Sequence, residues 1–474
     1  MRSHFLQEPF LEFGCGQHIC PRAGISEYKV YDTRFSARRE KILVGAIGTS
    51  QNLTEFSLWL DKCSKVIPGK SESRHSNLYP SFCGFNLESG YKARFIFNEE
   101  ITRKINNSDI KNLLKIENWN DRVNETSELY YQLTKFLAQN RSVDVIVCII
   151  PDELYSKISQ KEKTPIEESI DEAASVDILE NNFRRLIKAK SMHLGKPIQL
   201  LRSSSLQSNS TMQQDDATKA WNFSTALYYK ANQTVPWKLI TNINRPSICF
   251  VGISFYRSRD RKILHTSLAQ LFDELGNSVI LRGTPVAIGK DDRQPHLTAY
   301  QAHALLKESL SEYALALGNF PARLVIHKSS KFNDQEIDGF RSAASEARVN
   351  SIDFVSILDT DIRLFRGQTY PPYRGTLIEL DSKTNLLYTK GSVNYYKTYT
   401  GKYIPHPLEI RVADADESPK VICEEILALT KMNWNNTQFD GRLPITIQCS
   451  RKVGEIMKYL SEHDNPQVRY CYYM

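Results

Sequence analysis

The chain has no long hydrophobic run; nothing approaches the ~18 apolar residues that a membrane-spanning helix needs. Its opening, MRSHFLQEPFLEFGCG, shows no basic segment leading into an apolar one. No secretory leader is therefore expected, the expected location is the cytoplasm, and no membrane partner is expected. Cysteine is sparse and unpatterned: nine residues, an odd number, with no repeating CxxC. That excludes a disulfide scaffold and fits a reduced, intracellular chain. Cys15, His18 and Cys20 lie close in sequence but lack the second ligand pair of a tetrahedral site, so they read as a structural cluster. There is no internal repeat and no heptad pattern. The glycines at Gly14–Gly16 and Gly45–Gly48 lack the GxGxxG context of a dinucleotide site. Neither sign of charge dominates: 61 Lys and Arg against 54 Asp and Glu give a net +7, which permits nucleic-acid binding without demonstrating it.

What is present is α/β patterning over 474 residues, a length of about two to four domains. The first forty residues, rich in Gly, Pro and aromatics, read as an extended N-terminal segment (1–40). Lys41–Gly48 is a short apolar run ending in glycine, the signature of a buried strand before a helix. Leu53–Cys63 has helical spacing, Phe95–Phe97 is a strand, Glu128–Ala138 a helix, and Val143–Ile150, closed by Pro151, the clearest buried strand. Strand–helix alternation predicts a parallel, doubly wound sheet over 41–240. Residues 158–176 read as a solvated flap, Phe183–Met192 as a basic helix, Pro197–Leu201 as a strand, 202–216 as a polar loop and Ala217–Lys230 as a helix. A boundary falls at 241–246. The second unit, 241–474, places strands at Ser247–Phe255, Asn277–Gly283, Ala322–His327 and Ser351–Leu358, and a hairpin over Thr376–Leu380 and Leu386–Lys390. Its helices are expected at Ala299–Gly318, Asn333–Arg348, 416–431 and 449–461.

Two of these strands carry a resemblance. Residues 248–254 (ICFVGIS) and 321–332 (PARLVIHKSSKF) resemble the core strands of a PIWI domain, the ribonuclease-H-like half of Argonautes. Residues 7–32 and 42–67 resemble the opening and the MID lobe of prokaryotic Argonautes that lack N and PAZ domains. Residues 386–410 and 429–447 resemble the PIWI C-terminal half. The chain is thus similar to a short prokaryotic Argonaute along nearly its whole length. The fold this implies is α/β and bilobed: a Rossmann-like MID domain (41–240) and a ribonuclease-H-like PIWI domain (241–474).

In cleaving relatives the first strand ends in aspartate and the second reads His-Arg-Asp-Gly. Here Ser254 and Ser329 replace both aspartates. A further metal ligand is expected just after the last strand, near Gln448-Cys449-Ser450, where there is neither Asp nor His. The loop carboxylates Asp260, Asp291 and Asp292 are tied to no metal site. Two-metal cleavage needs clustered carboxylates, so the chain is expected not to be a nuclease.

The resemblance also implies a guide-end pocket. The MID pattern falls on Arg184, Lys188, Gln199 and Lys230: cations and an amide that would hold a 5′ phosphate. Arg184 and Lys188 share a helix face, and Arg184 would also stack on the first base. Taken alone, an Arg-x-x-x-Lys is an ordinary solvated helix face. His193 and Lys196 would reach the second phosphate or serve a turn. Met474 would offer its carboxylate to a structural Mg2+ at the guide phosphate. In the second half Arg257, Arg259, Lys262, Arg282, His327 and Lys328 are expected along a groove for a guide–target duplex.

The function this implies is a guide-RNA-binding, target-DNA-sensing subunit. It would pair as a heterodimer with an APAZ-containing effector, sirtuin-like or TIR, whose NAD depletion serves antiviral defence, with higher oligomers forming on activation. The alternatives are a guided nuclease with noncanonical ligands and a nonspecific single-strand binder.

Overall fold

The computed structural model describes all residues except 37, 74–75, 160–180, 208–213, 241–246, 272–277, 287–293, 366–370, 400, 402, 462–463 and 465. The boundary at 241–246, most of the 158–176 flap, part of the 202–216 loop, Asp291 and Asp292 lie outside the described residues.

The N-terminal segment holds strands β1 (Arg2–Phe5), β2 (Leu11–Glu12) and β3 (Gln17–His18) and, against the expectation of extended chain alone, helix α1 (Pro21–Tyr28). Proline at its first turn supplies the preset φ of a helix start. The first lobe continues with β4 (Lys41–Gly48), α2 (Ser50–Cys63), β5 (Arg94–Ile96), β6 (Thr102–Lys104), α3 (Asn107–Lys115), α4 (Trp119–Asn140), β7 (Val145–Ile150) and α5 (Asp152–Ile158). After the flap come α6 (Phe183–Ser191), β8 (Ile198–Arg202), α7 (Asp216–Asn232) and β9 (Lys238–Leu239). The main sheet runs β5-β4-β7-β8, with β6 also on β4, and every pairing is parallel. All six residues of β7 are buried, as a central strand covered on both faces requires. Helix α7 is capped by Asp215, whose side chain accepts from the Thr218 N–H. Its Ala, Trp and Tyr residues are buried almost all round, which makes it the spine of the lobe.

The second lobe contains β10 (Ile248–Arg257), β11 (Leu264–Leu271), β12 (Ser278–Val286), α8 (Ala299–Leu317), β13 (Arg323–Lys328), α9 (Asp334–Glu346) and β14 (Ser351–Asp359). Next are the hairpin β15 (Thr376–Glu379) and β16 (Thr384–Leu387), the short pair β17 (Ser392–Val393) and β18 (Thr398–Tyr399), then β19 (Leu408–Asp414), α10 (Pro419–Leu429) and α11 (Ile445–Met457). Nine strands form one sheet in the order β1-β15-β16-β19-β14-β13-β10-β11-β12. Strands β10, β13 and β14 are parallel, the rest antiparallel. β11 has no counterpart in the sequence reading. Helix α11 packs directly over β10 at Gly252, where a Cβ would sit 2.2 Å from the Thr446 carbonyl oxygen, so only glycine fits.

The first forty residues serve both lobes. β1 is the outer strand of the nine-stranded sheet, paired with β15, whereas β2 pairs with β3 and with β9. One continuous core joins the lobes, running from Leu11 through Trp221 to Trp434 and Met474. At its centre the Trp237 indole N–H donates to the Lys431 carbonyl (3.0 Å), and the Trp434 N–H donates to the Trp237 carbonyl (3.0 Å). No described helix is long and apolar enough to cross a membrane.

Candidate nucleic-acid interface

Helix α6 starts at Asn182, whose side chain accepts from the Arg185 N–H at 3.2 Å. The helix buries Phe183, Leu186 and Ile187, and that face carries Lys188 inward with it. Strand β8 brings Gln199 from the neighbouring sheet edge, and the last turn of α7 brings Lys230. These side chains converge at the seam between the lobes. A cavity of about 450 Å³ is lined by Arg184, Lys188, Gln199, Arg202, Asn435 and Met474, among others. A second cavity of about 350 Å³ shares Gln199, Arg202 and Asn435 with it and continues past Lys219, Trp59 and Phe223. Of the four residues expected at a guide end, the structure thus gathers three on one cavity wall. The fourth, Lys230, lies behind Gln199 and donates to its side-chain oxygen at 2.5 Å.

The electrostatics are those of an anion site. Lys188 is 3% exposed and its ammonium has no hydrogen-bond partner. Burial first, then the charges of Lys230, Arg184 and Lys452, hold its pKa well below the usual lysine value. Lys230, 1% exposed, is lowered to about 7 by burial and then by Arg184. Lys452 is lowered by burial and Arg184. Among the described residues no Asp or Glu lines the cavity. An unpaired buried charge is costly, and here several of one sign are held together. An anion entering the cavity relieves that cost, and this is the pattern expected of a binding site rather than a structural ion pair.

Sequence reasoning missed the cavity-lining Arg202 and Asn435 and the nearby Lys452, whose charge acts on Lys188. Lys452 lies on α11 between the buried Cys449, Val453 and Ile456. A lysine inside an apolar helical stripe was the available signal. Asn435 belongs to an irregular stretch with no periodicity to read. His193 is exposed just past α6, where its ring nitrogen Nε2 meets the Tyr131 hydroxyl at 3.2 Å. Lys196 is half-buried on the same turn, which the Tyr472 hydroxyl ties to the C-terminal segment by donating to the Gly195 carbonyl at 2.9 Å.

In the second lobe Ser254 is 1% exposed on β10, with its hydroxyl 3.0 Å from that of Ser267. Ser267 in turn donates to the Ser450 carbonyl at 2.7 Å. Ser329 follows β13, and its N–H donates to Ile253. The pairing of Ile253 with Lys328 sets Ser254, within β10, beside Ser329, just past the end of β13. Residues 448–450 do not follow a strand, as expected from sequence, but lie within α11. Among the described residues no three His, Cys, Asp or Glu side chains are grouped to hold a metal. Asp260 is exposed in the turn after β10, bonded to Ser258 and to the Lys262 N–H. His18, Cys15 and Cys20 do not converge: His18 Nδ1 accepts from the Cys20 N–H at 2.8 Å, Cys20 packs on the Tyr396 hydroxyl and Cys15 is exposed.

Arg257, Arg259 and Lys262 surround the β10–β11 turn. Arg257 and Lys262 are exposed, and Arg259 is half-buried over the Tyr459 ring. Arg282 is on β12, opposite Ser267. His327 and Lys328 correct the sequence expectation: they are interior groups, not groove-facing cations. His327 is fully buried, bonded to Thr446 at 2.9 Å, and burial drives its pKa down to about 3. Lys328 is fully buried in a pair with Glu336 at 2.6 and 2.7 Å. A strand end in the sequence is here covered by α9 and α11.

No protein-family model matches the chain. It is 25% identical over 235 residues to the protein argonaute of Aquifex aeolicus (strain VF5), a stretch of 47% of this chain and 29% of that protein. The Clostridium butyricum Argonaute structure, bound to a guide DNA and a 19-mer target DNA, aligns with a TM-score of 0.68 at 17% identity, over 99% of this chain and 54% of that one. The Marinitoga piezophila Argonaute, in complex with a 5′ OH guide RNA, aligns at 0.57 and 12% identity, over 100% of this chain and 59% of that one. The chain spans little more than half the length of the solved structures it matches. Its architecture is the MID–PIWI fold of Argonautes, and over about half its length it shares sequence with one of them.

Proposed function

We propose that this chain is the guide-RNA-binding, target-DNA-sensing subunit of a short prokaryotic Argonaute immune complex. The observation that carries this reading is the cavity at the lobe seam, with the unpartnered Lys188 at its wall and no Asp or Glu among its described lining residues. A terminal phosphate is a compact dianion that accepts several charge-assisted hydrogen bonds. Lys188 and Arg184 would donate to it directly. Lys230 would hold Gln199 in place and add charge, and Lys452 would contribute field from the second lobe. The second cavity, with Trp59 and Phe223, would take the chain beyond the first phosphate. Met474, 1% exposed, lines the same wall as Lys188 and Gln199. A Mg2+ ion would therefore fit here only on the Met474 carboxylate, with the phosphate supplying further oxygens, and it would add charge neutralisation.

The bound guide would be presented along the second lobe for base pairing, so that pairing reads sequence while the protein reads ends and backbone. With serines at 254 and 329, target recognition would end in a signal instead of a cut. The signal would pass to an APAZ-containing effector that degrades NAD, a coupling of ligand to activity between two chains. The guide DNA and guide RNA in the two aligned Argonaute structures support guide binding and leave the sugar of this chain's guide to experiment.

The test is to purify the chain from cells, alone and with its genomic neighbour, and sequence the bound nucleic acid. Short 5′-phosphorylated RNAs that disappear in a Lys188→Ala/Lys230→Ala variant are expected. Nucleic acid of random length, unchanged by the variant, would sink the guide reading in favour of nonspecific single-strand binding.

A further inference from the structure

We propose a small-molecule site in the first lobe, past the carboxyl ends of its parallel strands, for a free mononucleotide held by its ribose hydroxyls and its phosphate. It goes beyond the guide reading and shares no residue with the two cavities at the seam. A third cavity, of about 380 Å³, is lined there by Thr49, Asn52, Glu55, Asn107, Lys111 and Ser203, among others. The sheet explains its place. β5 and β6 pair with one side of β4 and β7 with the other, so the strand order reverses between β4 and β7. In open α/β sheets the crevice beyond the strand ends at such a point is where ligands bind. Thr49 directly follows β4, Asn107 opens α3 after β6, and Ser203 directly follows β8. The turn at Ser203 divides this cavity from the seam. Asp152 accepts from the Ser203 hydroxyl at 2.7 Å and from Arg202 Nη2 at 3.1 Å, and Arg202 lines the other side.

Two oxygens on this wall are unsatisfied. Asn52 is 5% exposed, and its Oδ1 has no hydrogen-bond partner among the described residues. Glu55 lies three residues on, on the same face of α2. Its Oε1 accepts from Gln51 Nε2 at 2.9 Å, while its buried Oε2 has no partner among the described residues. Gly48 lets α2 start this close to the sheet: a Cβ there would lie 3.2 Å from the Asn52 Cβ and 3.3 Å from the Ile149 Cβ. Buried acceptors cost stability until a donor reaches them. A ribose offers two adjacent hydroxyl donors, and a carboxylate accepts both. The same wall begins two helices, α2 of 14 residues and α3 of nine, whose N-termini favour an anion, and it carries Lys111. Glu153, also on the wall, is exposed, so its charge is screened by solvent. A polyamine would satisfy the two oxygens but meet the positive helix ends; a nucleoside without phosphate would leave those ends unused. A ribonucleoside phosphate answers both. The connection from β4 to α2 is the single residue Thr49, not a glycine-rich pyrophosphate loop, which points to one nucleotide unit rather than two. The volume is that of a small-ligand pocket.

The experiment titrates the full chain with AMP, GMP, CMP and UMP by calorimetry, and then with the 2′-deoxy form and the free nucleoside of the tightest binder. Every titration is repeated on Lys188→Ala/Lys230→Ala, which disables the seam cavity. At least one ribonucleotide should bind both proteins with affinities within about twofold. Its 2′-deoxy form should bind at least about tenfold more weakly, because one hydroxyl donor is gone. Glu55→Gln should weaken the ribonucleotide about tenfold and remove most of the preference over the deoxy form. Lys111→Ala, a change at an exposed position, should weaken the nucleotide and leave the nucleoside unchanged. Asn52→Leu should weaken binding at least about tenfold without lowering the unfolding temperature, which separates loss of a ligand contact from loss of the fold. No binding of any of the four by the wild-type chain overturns the site. So does binding lost in Lys188→Ala/Lys230→Ala, which would place the nucleotide at the seam, and so does binding of spermidine in preference to every nucleotide. Nucleotide binding by a chain that takes no guide supports the site and overturns only the guide reading.

Discussion

Lys188 and Lys230 are equally buried neighbours with opposite satisfaction: Lys230 donates to Gln199, and Lys188 donates to nothing. The empty donor set is on the residue that faces the cavity. Such an arrangement costs stability in the absence of ligand and returns it on binding, so the two can be separated by mutation.

Replacing Lys188 by Met, of similar length and without charge, should stabilise the ligand-free protein by roughly 1–3 kcal/mol, because it removes an unpartnered buried polar group. The same variant should lose discrimination between 5′-phosphorylated and 5′-hydroxyl guides by about 10- to 100-fold, the worth of one charge-assisted bond. Thermal unfolding and competition binding read the two effects. A variant that is both less stable and fully discriminating would contradict the assignment.

Lys230 has a folded pKa of about 7, depressed from 10.5. The unfolded chain therefore holds more protons between those values, and the ligand-free protein should gain stability as pH rises from about 7 to about 10. Below 7 both states are protonated and the penalty is present in full. Binding of a phosphate favours the charged lysine, so guide affinity should weaken over the pH range in which ligand-free stability rises. Calorimetry in buffers of different ionisation enthalpy should show proton uptake on binding at pH 8; proton release would reverse the sign argued here.

Cleavage of a guided target should be absent with Mg2+ or Mn2+. Ser254→Asp/Ser329→Asp should not restore it, since residues 448–450 are helical and offer no carboxylate. Ser254→Asp should also destabilise the protein, as it buries a carboxylate at a site 1% exposed. A metal-dependent product from the wild-type chain would establish a nuclease.

Lys328→Ala should destabilise by about 3–5 kcal/mol, because it strands Glu336 as a buried charge. Nucleic-acid affinity should not change beyond what unfolding explains. Chemical denaturation and binding at low temperature distinguish this interior role from the groove contact that the sequence suggests.

The elements with strong periodicity were legible. β4, β7, α6 and α8 fall within a few residues of where apolar runs and helical spacing place them, and of the residues the resemblance singled out, Arg184, Lys188 and Gln199 line one cavity while Lys230 bonds to Gln199. What was not legible depends on contacts distant in sequence. Leu264–Leu271 is a strand because β10 and β12 flank it. Lys328 looks like a cation at a strand end and is interior because Glu336 reaches back to it from α9. Gln448–Ser450 was misplaced because α11 begins at Ile445 on a Pro444 N-cap, earlier than the apolar pattern indicated. Asn435 reaches the cavity, and Lys452 comes near Lys188, only once the lobes are packed.

The pairing of β1 with β15, and of β2 with β9, has a consequence for the ancestry of such chains. A recombination event that joined one MID half to a foreign PIWI half would have to replace the first twenty residues, the Trp237–Trp434 exchange and the tail around Met474 together. Each of these lies far from the others along the gene. The two halves are therefore expected to be inherited as one block, and variation should accumulate instead at exposed positions away from this seam.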